Sequence, residues 1–331
     1  MWRLLKSVIK RMFQLMLLLA MMGLLFQFAS LMRDRAKYPA EGRLFEVNGQ
    51  TLHLFCRGEG SDNAPTVVLE SGMGSESTNW HAVMEQVKGS ARVCTYDRPG
   101  LGWSKPSRTF LTEAEWVTNL HDLLVVADVQ PPYLLVGHSI GGIIVRDFAH
   151  KYPEKVAGLV LVESSTENQS EYWNEADHSH SFVPRAMTLL SPIGTAAGYF
   201  GLPRIYRHLM KWRRGVPLTY EQMASMARRN EAHSTHAIVG EMKVAITITD
   251  QKRGPEPLGD LPLRVIAKTY WVVEESTEAQ IKFENDWRSM QQALAALSTN
   301  GTHVEAKQSA HNVPGDEPEI IVAAILDLLG D

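Results

Sequence analysis

The sequence predicts an α/β domain in which helices flank a mainly parallel central sheet. Three observations predict this class. Short runs of apolar residues alternate with longer amphipathic stretches from residue 66 onward, and such alternation is typical of βαβ crossovers. A glycine-flanked serine, Ser139, separates a strand-like run from a helix-like run, and His311 follows the last strand-like run. Both residues therefore fall at the carboxyl edge of the predicted sheet, where open α/β sheets bind ligands.

The composition is that of a folded, nearly neutral chain. Its 331 residues are 44% hydrophobic and 21% charged, which lies outside the range of disordered chains. The 33 Lys and Arg against 37 Asp and Glu leave a formal charge of -4, so we expect no nucleic-acid partner. Two cysteines without a His-Cys cluster do not match a zinc motif, so we expect no metal. The length fits one core with an inserted segment.

The N-terminus carries an apolar segment. Met12 to Met32 are 21 residues without a charge, which at about 1.5 Å per residue cross a hydrocarbon core of about 30 Å. Positive charge is heavier before this segment than after it. We therefore expect residues 1–11 to form a cytoplasmic tail, residues 12–32 a transmembrane anchor, and residues 33–41 a linker to an extracytoplasmic domain. A cleaved signal peptide is the alternative, but the segment is long for one and Phe28-Ala29-Ser30 is a poor cleavage site.

The domain over residues 42–331 opens with a predicted hairpin. The runs RLFEVNG and QTLHLFC flank Asn48-Gly49, a dipeptide that suits a tight turn because both residues tolerate positive φ. Six further runs have the character of strands: residues 66–71, 91–97, 132–138, 157–164, 263–268 and 302–308. Three pairs have the spacing of a capping box and predict helix starts: Thr112 with Glu115, Thr277 with Gln280, and Asp316 with Glu319.

The alternation of strands and helices breaks between about residues 166 and 259. This stretch is rich in His, Arg, Met and aromatic residues, and we expect an inserted, mostly helical lid. Within it, four apolar residues share a predicted helical face beside basic residues: Leu202, Ile205, Tyr206 and Leu209, with Arg204, Arg207, His208, Lys211, Arg213 and Arg214. Two interpretations remain open, a stripe that covers the active site and a basic amphipathic helix that rests on anionic lipid.

The strongest motif is Gly137-His138-Ser139-Ile140-Gly141, which has the form GxSxG between a strand and a helix. A serine on such a sharp turn has a strained backbone, and glycines two residues to either side remove crowding. Ser139 is therefore the predicted nucleophile. The Ile140 N–H, at a helix N-terminus, and the Met73 N–H, in the glycine loop after an earlier strand, are the predicted oxyanion donors.

A serine hydroxyl needs a base, and the base needs an acid partner. His311 is the predicted base because it stands between the last strand and the last helix. Two positions compete for the acid. Glu163 follows the strand after the nucleophile, whereas Glu274 and Glu275 follow the strand at 263–268 without the usual short turn to an aspartate. We prefer Glu163, which reaches His311 from the other side of the sheet edge.

Cys56 and Cys94 fall on two predicted strands. They are either buried thiols or, in an oxidising compartment, a disulfide, and sequence alone leaves both readings open.

These motifs together resemble the α/β-hydrolase superfamily. The resemblance is carried by GHSIGG, LESGMGS, YDRPGLGWS and the late histidine, and it covers roughly residues 42–164 and 260–331. Within the superfamily, the chain is similar to the lid-bearing branch of esterases, lipases and haloalkane-dehalogenase-like enzymes. The resemblance implies the α/β-hydrolase fold, a Ser-acid-His triad, no cofactor, and carboxylic-ester or related acyl substrates.

Some dehalogenase-like members carry a glutamate in a context similar to Leu161-Val162-Glu163-Ser164, which supports Glu163. Dehalogenases and epoxide hydrolases use an aspartate nucleophile, so Ser139 implies acyl chemistry instead. We therefore expect a membrane-anchored serine hydrolase that acts on a small-molecule or lipid ester through an acyl-enzyme. An acyltransferase with the same triad and an inactive binding protein of the same fold are the alternatives.

Overall fold

The computed structural model describes residues 1–60, 64–169, 192–206, 209, 219–229, 231–249, 254–269 and 277–330. The chain divides into two compact units. One unit contains residues 1–39 and 189–236, and the other contains residues 40–188 and 237–331.

The larger unit is built on an eight-stranded sheet. The strands are β1 (Arg43–Val47), β2 (Gln50–Arg57), β3 (Thr66–Glu70), β4 (Val93–Asp97), β5 (Tyr133–His138), β6 (Val156–Val162), β7 (Leu263–Lys268) and β8 (Gly301–Ala306). Their order across the sheet is β1-β2-β4-β3-β5-β6-β7-β8. The pairs β1/β2 and β2/β4 are antiparallel, and all the others are parallel. The predicted mainly parallel sheet is confirmed.

The opening hairpin turns where the sequence predicts it. Asn48 and Gly49 connect β1 to β2 with φ angles of 49° and 75°, as a two-residue turn with positive φ at both positions requires. This hairpin adds the antiparallel edge of the sheet.

The labelled helices are α1 (Trp2–Lys37), α2 (His81–Val87), α3 (Glu113–Val126), α4 (Ile140–Lys151), α5 (Tyr220–Arg228), α6 (Ala232–Thr249), α7 (Glu278–Ala295), α8 (Val313–Asp316) and α9 (Pro318–Leu329). Residues 192–199 and 202–206 are also helical. Helices pack on both faces of the sheet, with α3, α4 and the end of α7 on one face and α2 and α9 on the other. Buried apolar side chains fill both layers, and each fully buried leucine, such as Leu120, stabilises the fold by about 1.5–3 kcal/mol.

Two of the three predicted capping boxes are present. Thr112 accepts from the Glu115 N–H at the start of α3, and Thr277 accepts from the Gln280 N–H at the start of α7. The third prediction is wrong. Asp316 is the last residue of the one-turn helix α8, and α9 begins two residues later at Pro318 without a side-chain cap. Proline favours this first helical position because its missing N–H would have no partner there.

The two cysteines form a disulfide. Cys56 on β2 and Cys94 on β4 are direct partners in the antiparallel register, and their sulfurs are bonded. The pairing left open by the sequence is therefore a bridge between neighbouring strands.

The smaller unit contains α1, which is longer than the predicted anchor. It has 36 residues and measures about 54 Å at the usual helical rise. Its length and composition would let it cross a membrane. The inserted segment contributes residues 192–206 and α5 to this unit. The basic residues predicted for an amphipathic helix, Arg207, His208, Lys211, Arg213 and Arg214, lie outside the described residues.

Replacing both cysteines, Cys56→Ala with Cys94→Ala, should lower the free energy of unfolding by about 2–4 kcal/mol, because the bridge restricts the unfolded chain. The two cysteines are 38 residues apart. Denaturant unfolding of the full chain in detergent, followed by tryptophan fluorescence, measures the change. Wild-type protein kept in a reductant is the control and should shift by the same amount. Identical midpoints with and without the bridge would contradict the prediction.

Candidate active site

Ser139 lies on a sharp turn between β5 and α4. Its φ and ψ angles are 54° and -122°, a sparsely populated conformation for a residue with a side chain. The flanking glycines make this turn feasible. A Cβ at Gly137 would lie 2.4 Å from the main-chain oxygen of Gly141, and a Cβ at Gly141 would lie 2.7 Å from that of Glu70. The hydroxyl is thereby presented at the carboxyl edge of the sheet.

His311 lies in the loop between β8 and α8. Its Nε2 is 3.2 Å from Oγ of Ser139. This is a hydrogen-bond distance. The two side chains therefore have the separation that a serine nucleophile and its base require.

Glu163 directly follows β6 and is fully buried. Its Oε2 is 3.3 Å from Nδ1 of His311. Its other oxygen, Oε1, accepts hydrogen bonds from the Lys268 main-chain N–H at 2.7 Å and from Trp287 Nε1 at 3.1 Å. These two donors fix the carboxylate, and the carboxylate in turn orients the imidazole.

The structure thus brings together Ser139, His311 and Glu163 in one line of contacts. The rival acids, Glu274 and Glu275, lie outside the described residues. This arrangement of hydroxyl, imidazole and carboxylate is suited to remove a proton from the hydroxyl and to stabilise the resulting imidazolium.

The two residues predicted to donate to the oxyanion, Met73 and Ile140, line the same cavity as Ser139. Ile140 is the first residue of α4, so its N–H is among the free donors of a helix N-terminus. Met73 lines a cavity together with Ser139. The loop before Met73 passes close to the nucleophile, since a Cβ at Gly72 would lie 3.3 Å from Cβ of Ser139.

A buried ion network holds this glycine loop, and sequence reasoning missed it. Arg98 donates to the main-chain oxygens of Ser71 and Gly72, each at 2.7 Å. Its Nε lies 2.6 Å from Oε1 of Glu241 on α6. The second oxygen of Glu241 accepts from the Gly74 N–H at 2.7 Å. One arginine and one glutamate therefore hold the loop from both ends.

Glu70 completes the network as a second carboxylate paired with Arg98. Burial raises the pKa of Glu70, against the opposing effect of the Arg98 charge. Burial alone would lower the pKa of Arg98, but the carboxylates of Glu241 and Glu70 raise it above its ordinary value. Arg98 belongs to the turn that carried the family resemblance, whereas no motif or spacing pointed to Glu241.

His138, next to the nucleophile, is turned away from it. Its Nε2 lies 2.8 Å from the main-chain oxygen of His311. Since a carbonyl only accepts, Nε2 must carry the proton and donate it. Burial, with a smaller contribution from the nearby His311 side chain, lowers the pKa of His138 to about 3. A neutral His138 thus tethers the backbone of His311.

The cavity beside Ser139 has a volume of about 390 Å³. Half of the residues that line it are apolar or aromatic: Met73, Ile140, Met242, Ala245, Ile246, Phe283 and Trp287. One lysine, Lys268, also borders it, but its Nζ is paired with Glu284 at 2.7 Å. The cavity therefore suits an uncharged, apolar group.

Within the part of the chain that the structure describes, no three His, Cys, Asp or Glu side chains lie together in a group that could hold a metal ion.

Comparisons with known proteins agree with this architecture. The family model described as alpha/beta hydrolase fold matches residues 65–183. The uncharacterized protein YqjL of Bacillus subtilis (strain 168) is 27% identical over 286 residues, which are 86% of this chain and 91% of that protein.

Two solved structures share the fold across most of the chain. A membrane phospholipase A is 16% identical with a TM-score of 0.58, over 100% of this chain and 98% of that one. A thermophilic esterase from Thermogutta terrifontis is 18% identical with a TM-score of 0.61, over 88% of this chain and 98% of that one. At these identities the likeness shows the fold alone.

The buried His138 should make stability depend on pH. Because its pKa in the folded chain is lowered to about 3, the unfolded chain binds a proton between about pH 6.5 and pH 3 that the folded chain does not bind. The free energy of unfolding should therefore fall as the pH drops through this range, by about 3 kcal/mol near pH 4.

Denaturant unfolding of the wild type and of His138→Gln, near neutral pH and near pH 4, tests this. The variant should lose less stability on acidification. His150→Gln is the control because His150 is exposed, and it should behave like the wild type. If His138→Gln showed the same pH dependence as the wild type, the assignment of the shift to His138 would be wrong.

Proposed function

We propose that this chain, which matches the model of the alpha/beta hydrolase fold family over residues 65–183, is a hydrolase that cleaves a carboxylic ester with Ser139 as its nucleophile. The observation that carries the proposal is the contact of 3.2 Å between Oγ of Ser139 and Nε2 of His311, with Glu163 3.3 Å from Nδ1 on the far side of the ring. A serine hydroxyl at neutral pH becomes a competent nucleophile through such a base.

The proposed reaction has two steps. In the first, Oγ of Ser139 attacks the ester carbonyl while its proton passes to Nε2 of His311, and Glu163 stabilises the imidazolium. The alcohol leaves with that proton, and an acyl-enzyme remains. In the second step, His311 takes a proton from water, the water oxygen attacks the acyl carbon, and the acid is released as the proton returns to Ser139.

The negative oxygen of each tetrahedral intermediate would accept from the N–H groups of Met73 and Ile140. Support for this role comes from the network around Arg98 and Glu241, since two donors of Arg98 and the Gly74 N–H hold the loop that carries Met73. A donor fixed before the reaction stabilises developing charge without reorganisation at the moment of reaction.

The substrate class follows from the cavity. Its lining of methionine, isoleucine and aromatic side chains favours an uncharged, lipophilic acyl group. The proposed substrate is therefore a lipophilic or lipid-derived ester.

We further propose that residues 12–32 of α1 anchor the protein in a membrane, with residues 1–11 in the cytoplasm and the catalytic domain on the extracytoplasmic side. The length and composition of α1 support the span, and the excess of basic residues before it supports the orientation. The bridge between Cys56 and Cys94 supports an oxidising compartment for the larger unit.

The triad is tested by labelling and kinetics. A fluorophosphonate should label the wild type, and Ser139→Ala should abolish the labelling. Glu163→Gln should reduce kcat by about 10⁴-fold, as loss of the acid does in serine proteases, whereas Glu274→Gln and Glu275→Gln should stay near the wild type. If one of these two variants lost activity and Glu163→Gln kept it, the acid would be misassigned. Labelling that persists in Ser139→Ala would overturn the nucleophile.

A second kinetic prediction concerns the ion network. Glu241→Gln should lower kcat by about 10–100-fold with little change in KM, because misplacing an oxyanion donor weakens binding of the transition state alone. The control is Glu305→Gln, which removes an exposed partner of Arg288 and should leave kcat unchanged. A normal kcat in Glu241→Gln, or a loss confined to KM, would exclude a role in positioning the loop.

A further inference from the structure

One face of α1 is covered, and its residues differ from those on the rest of the helix. Gln27, Ser30 and Asp34 are buried, and their spacing of three and four residues puts them on one side of a helix. Gly23, four residues before Gln27, lies on the same side. The remaining faces expose large apolar side chains. Small and polar residues on a covered face of an apolar helix are typical of helix packing inside a membrane.

The element that covers this face is residues 192–206 of the inserted segment, which belongs to the same compact unit. A Cβ at Gly23 would lie 3.1 Å from the main-chain oxygen of Phe200, so the absence of a side chain at residue 23 permits the close approach. Gly201 lies equally close to Phe26. Arg204 donates to Gln27 at 3.2 Å and pairs with Asp34.

These contacts give the segment a direction along α1. Its start lies near the charged end of α1, because a Cβ at Gly194 would lie 3.4 Å from Thr235, and neighbouring Glu231 pairs with Arg35. Phe200 lies beside Gly23, which is about 18 Å further along the axis. The chain then returns toward the charged end of α1. Residues 192–199 and 202–206 are therefore the two arms of a helical hairpin.

The tip of this hairpin has the backbone that such a turn needs. Gly201 has a φ of 73°, which lets the chain reverse between the arms. The N–H groups of Phe200 and Gly201 bond to the carbonyl oxygens of Ala197 and Gly198 at 3.2 and 3.1 Å. Both N–H groups of the turn are thus satisfied without water, as a turn inside lipid requires.

The outer surface of the hairpin is apolar. Five large side chains are exposed on it: Ile193, Tyr199, Leu202, Ile205 and Tyr206. Residues 192–206 contain one charged residue, Arg204, and that residue is paired with Asp34. A contiguous exposed apolar surface marks a place where something apolar is bound.

We propose that residues 192–206 form a re-entrant hairpin that is immersed in the lipid of the outer leaflet beside α1. The inference rests on the proposed membrane span of α1. Gly23 precedes the end of that span, Met32, by nine residues, or about 14 Å of helix. Phe200, which lies beside Gly23, is therefore deeper in the membrane than the 5–10 Å reached by helices that rest on a membrane surface. Lipid chains cover the apolar surface of the hairpin.

The experiment is depth-dependent fluorescence quenching on the full chain in phosphatidylcholine vesicles. The two native cysteines form a disulfide, so single variants can be labelled at the new thiol. Tyr199→Cys, Leu202→Cys and Ile193→Cys report on the hairpin, and Ile205→Cys replaces any of these that fails to fold. The quenchers are phosphatidylcholines with a nitroxide near the headgroup or near the end of the acyl chain.

Two control sites match Leu202 in exposure, which is 54% for Leu202, 62% for Leu25 on α1 and 56% for Val125 on α3. Leu25→Cys should be quenched by lipid and Val125→Cys should not. Leu202→Cys should be quenched as strongly as Leu25→Cys. The deep quencher should act more strongly on Tyr199→Cys than on Ile193→Cys, because these residues lie about 9 Å apart along the arm.

The outcomes separate the two proposals. Quenching at residue 25 without quenching at residues 202 and 205 would overturn the hairpin and leave the membrane span standing. Equal depth at residues 193 and 199 would also overturn it, because the segment would then lie flat on the surface. Absence of quenching at residue 25 would overturn the membrane span itself, and the hairpin with it.

Discussion

The strained backbone at Ser139 is the constraint on which the rest of the site depends. A left-handed φ at a non-glycine residue costs about 1–3 kcal/mol and persists only where neighbouring contacts enforce it. Here the main chain of Ser139 is held on both sides: its N–H donates to Val162 at 3.0 Å, and its oxygen accepts from Gly142 and Ser165, each at 3.0 Å. These hydrogen bonds offset the cost of the strained backbone that presents the hydroxyl.

A second residue with a strained backbone follows the neighbouring strand, β6. Glu163 also has a positive φ, 45°, and its N–H donates to Ile266 on β7 at 2.7 Å. The sharp turns after β5 and β6 therefore present a hydroxyl and a carboxylate at neighbouring strand ends, close enough for one histidine to contact both. His311 contacts both of them from a loop whose main-chain oxygen accepts a hydrogen bond from His138 at the end of β5. Ser139, Glu163 and His311 are therefore each held by hydrogen bonds to residues at the strand ends.

The sequence was sufficient to predict the features of the site that depend on a local pattern of residues. The glycines around Ser139 and the position of Glu163 at a strand end were sufficient to predict their place at the sheet edge. The pairing of Arg98 with Glu241 was not predictable, because the two residues are 143 positions apart and Glu241 lies in the inserted segment, where no regular pattern constrains the fold. Asp316 was misplaced because Pro318 begins α9, and the length of α1 was underestimated because a helix continues through charged residues that a membrane would exclude.

The contact between Glu241 and Gly74 has a consequence for how such a molecule can be controlled. The carboxylate belongs to α6, a helix of the inserted segment, yet it holds the loop that faces the nucleophile. An outward movement of this helix would release the loop while leaving Ser139, His311 and Glu163 in contact. Control of this loop is therefore separate from the contacts that join Ser139, His311 and Glu163.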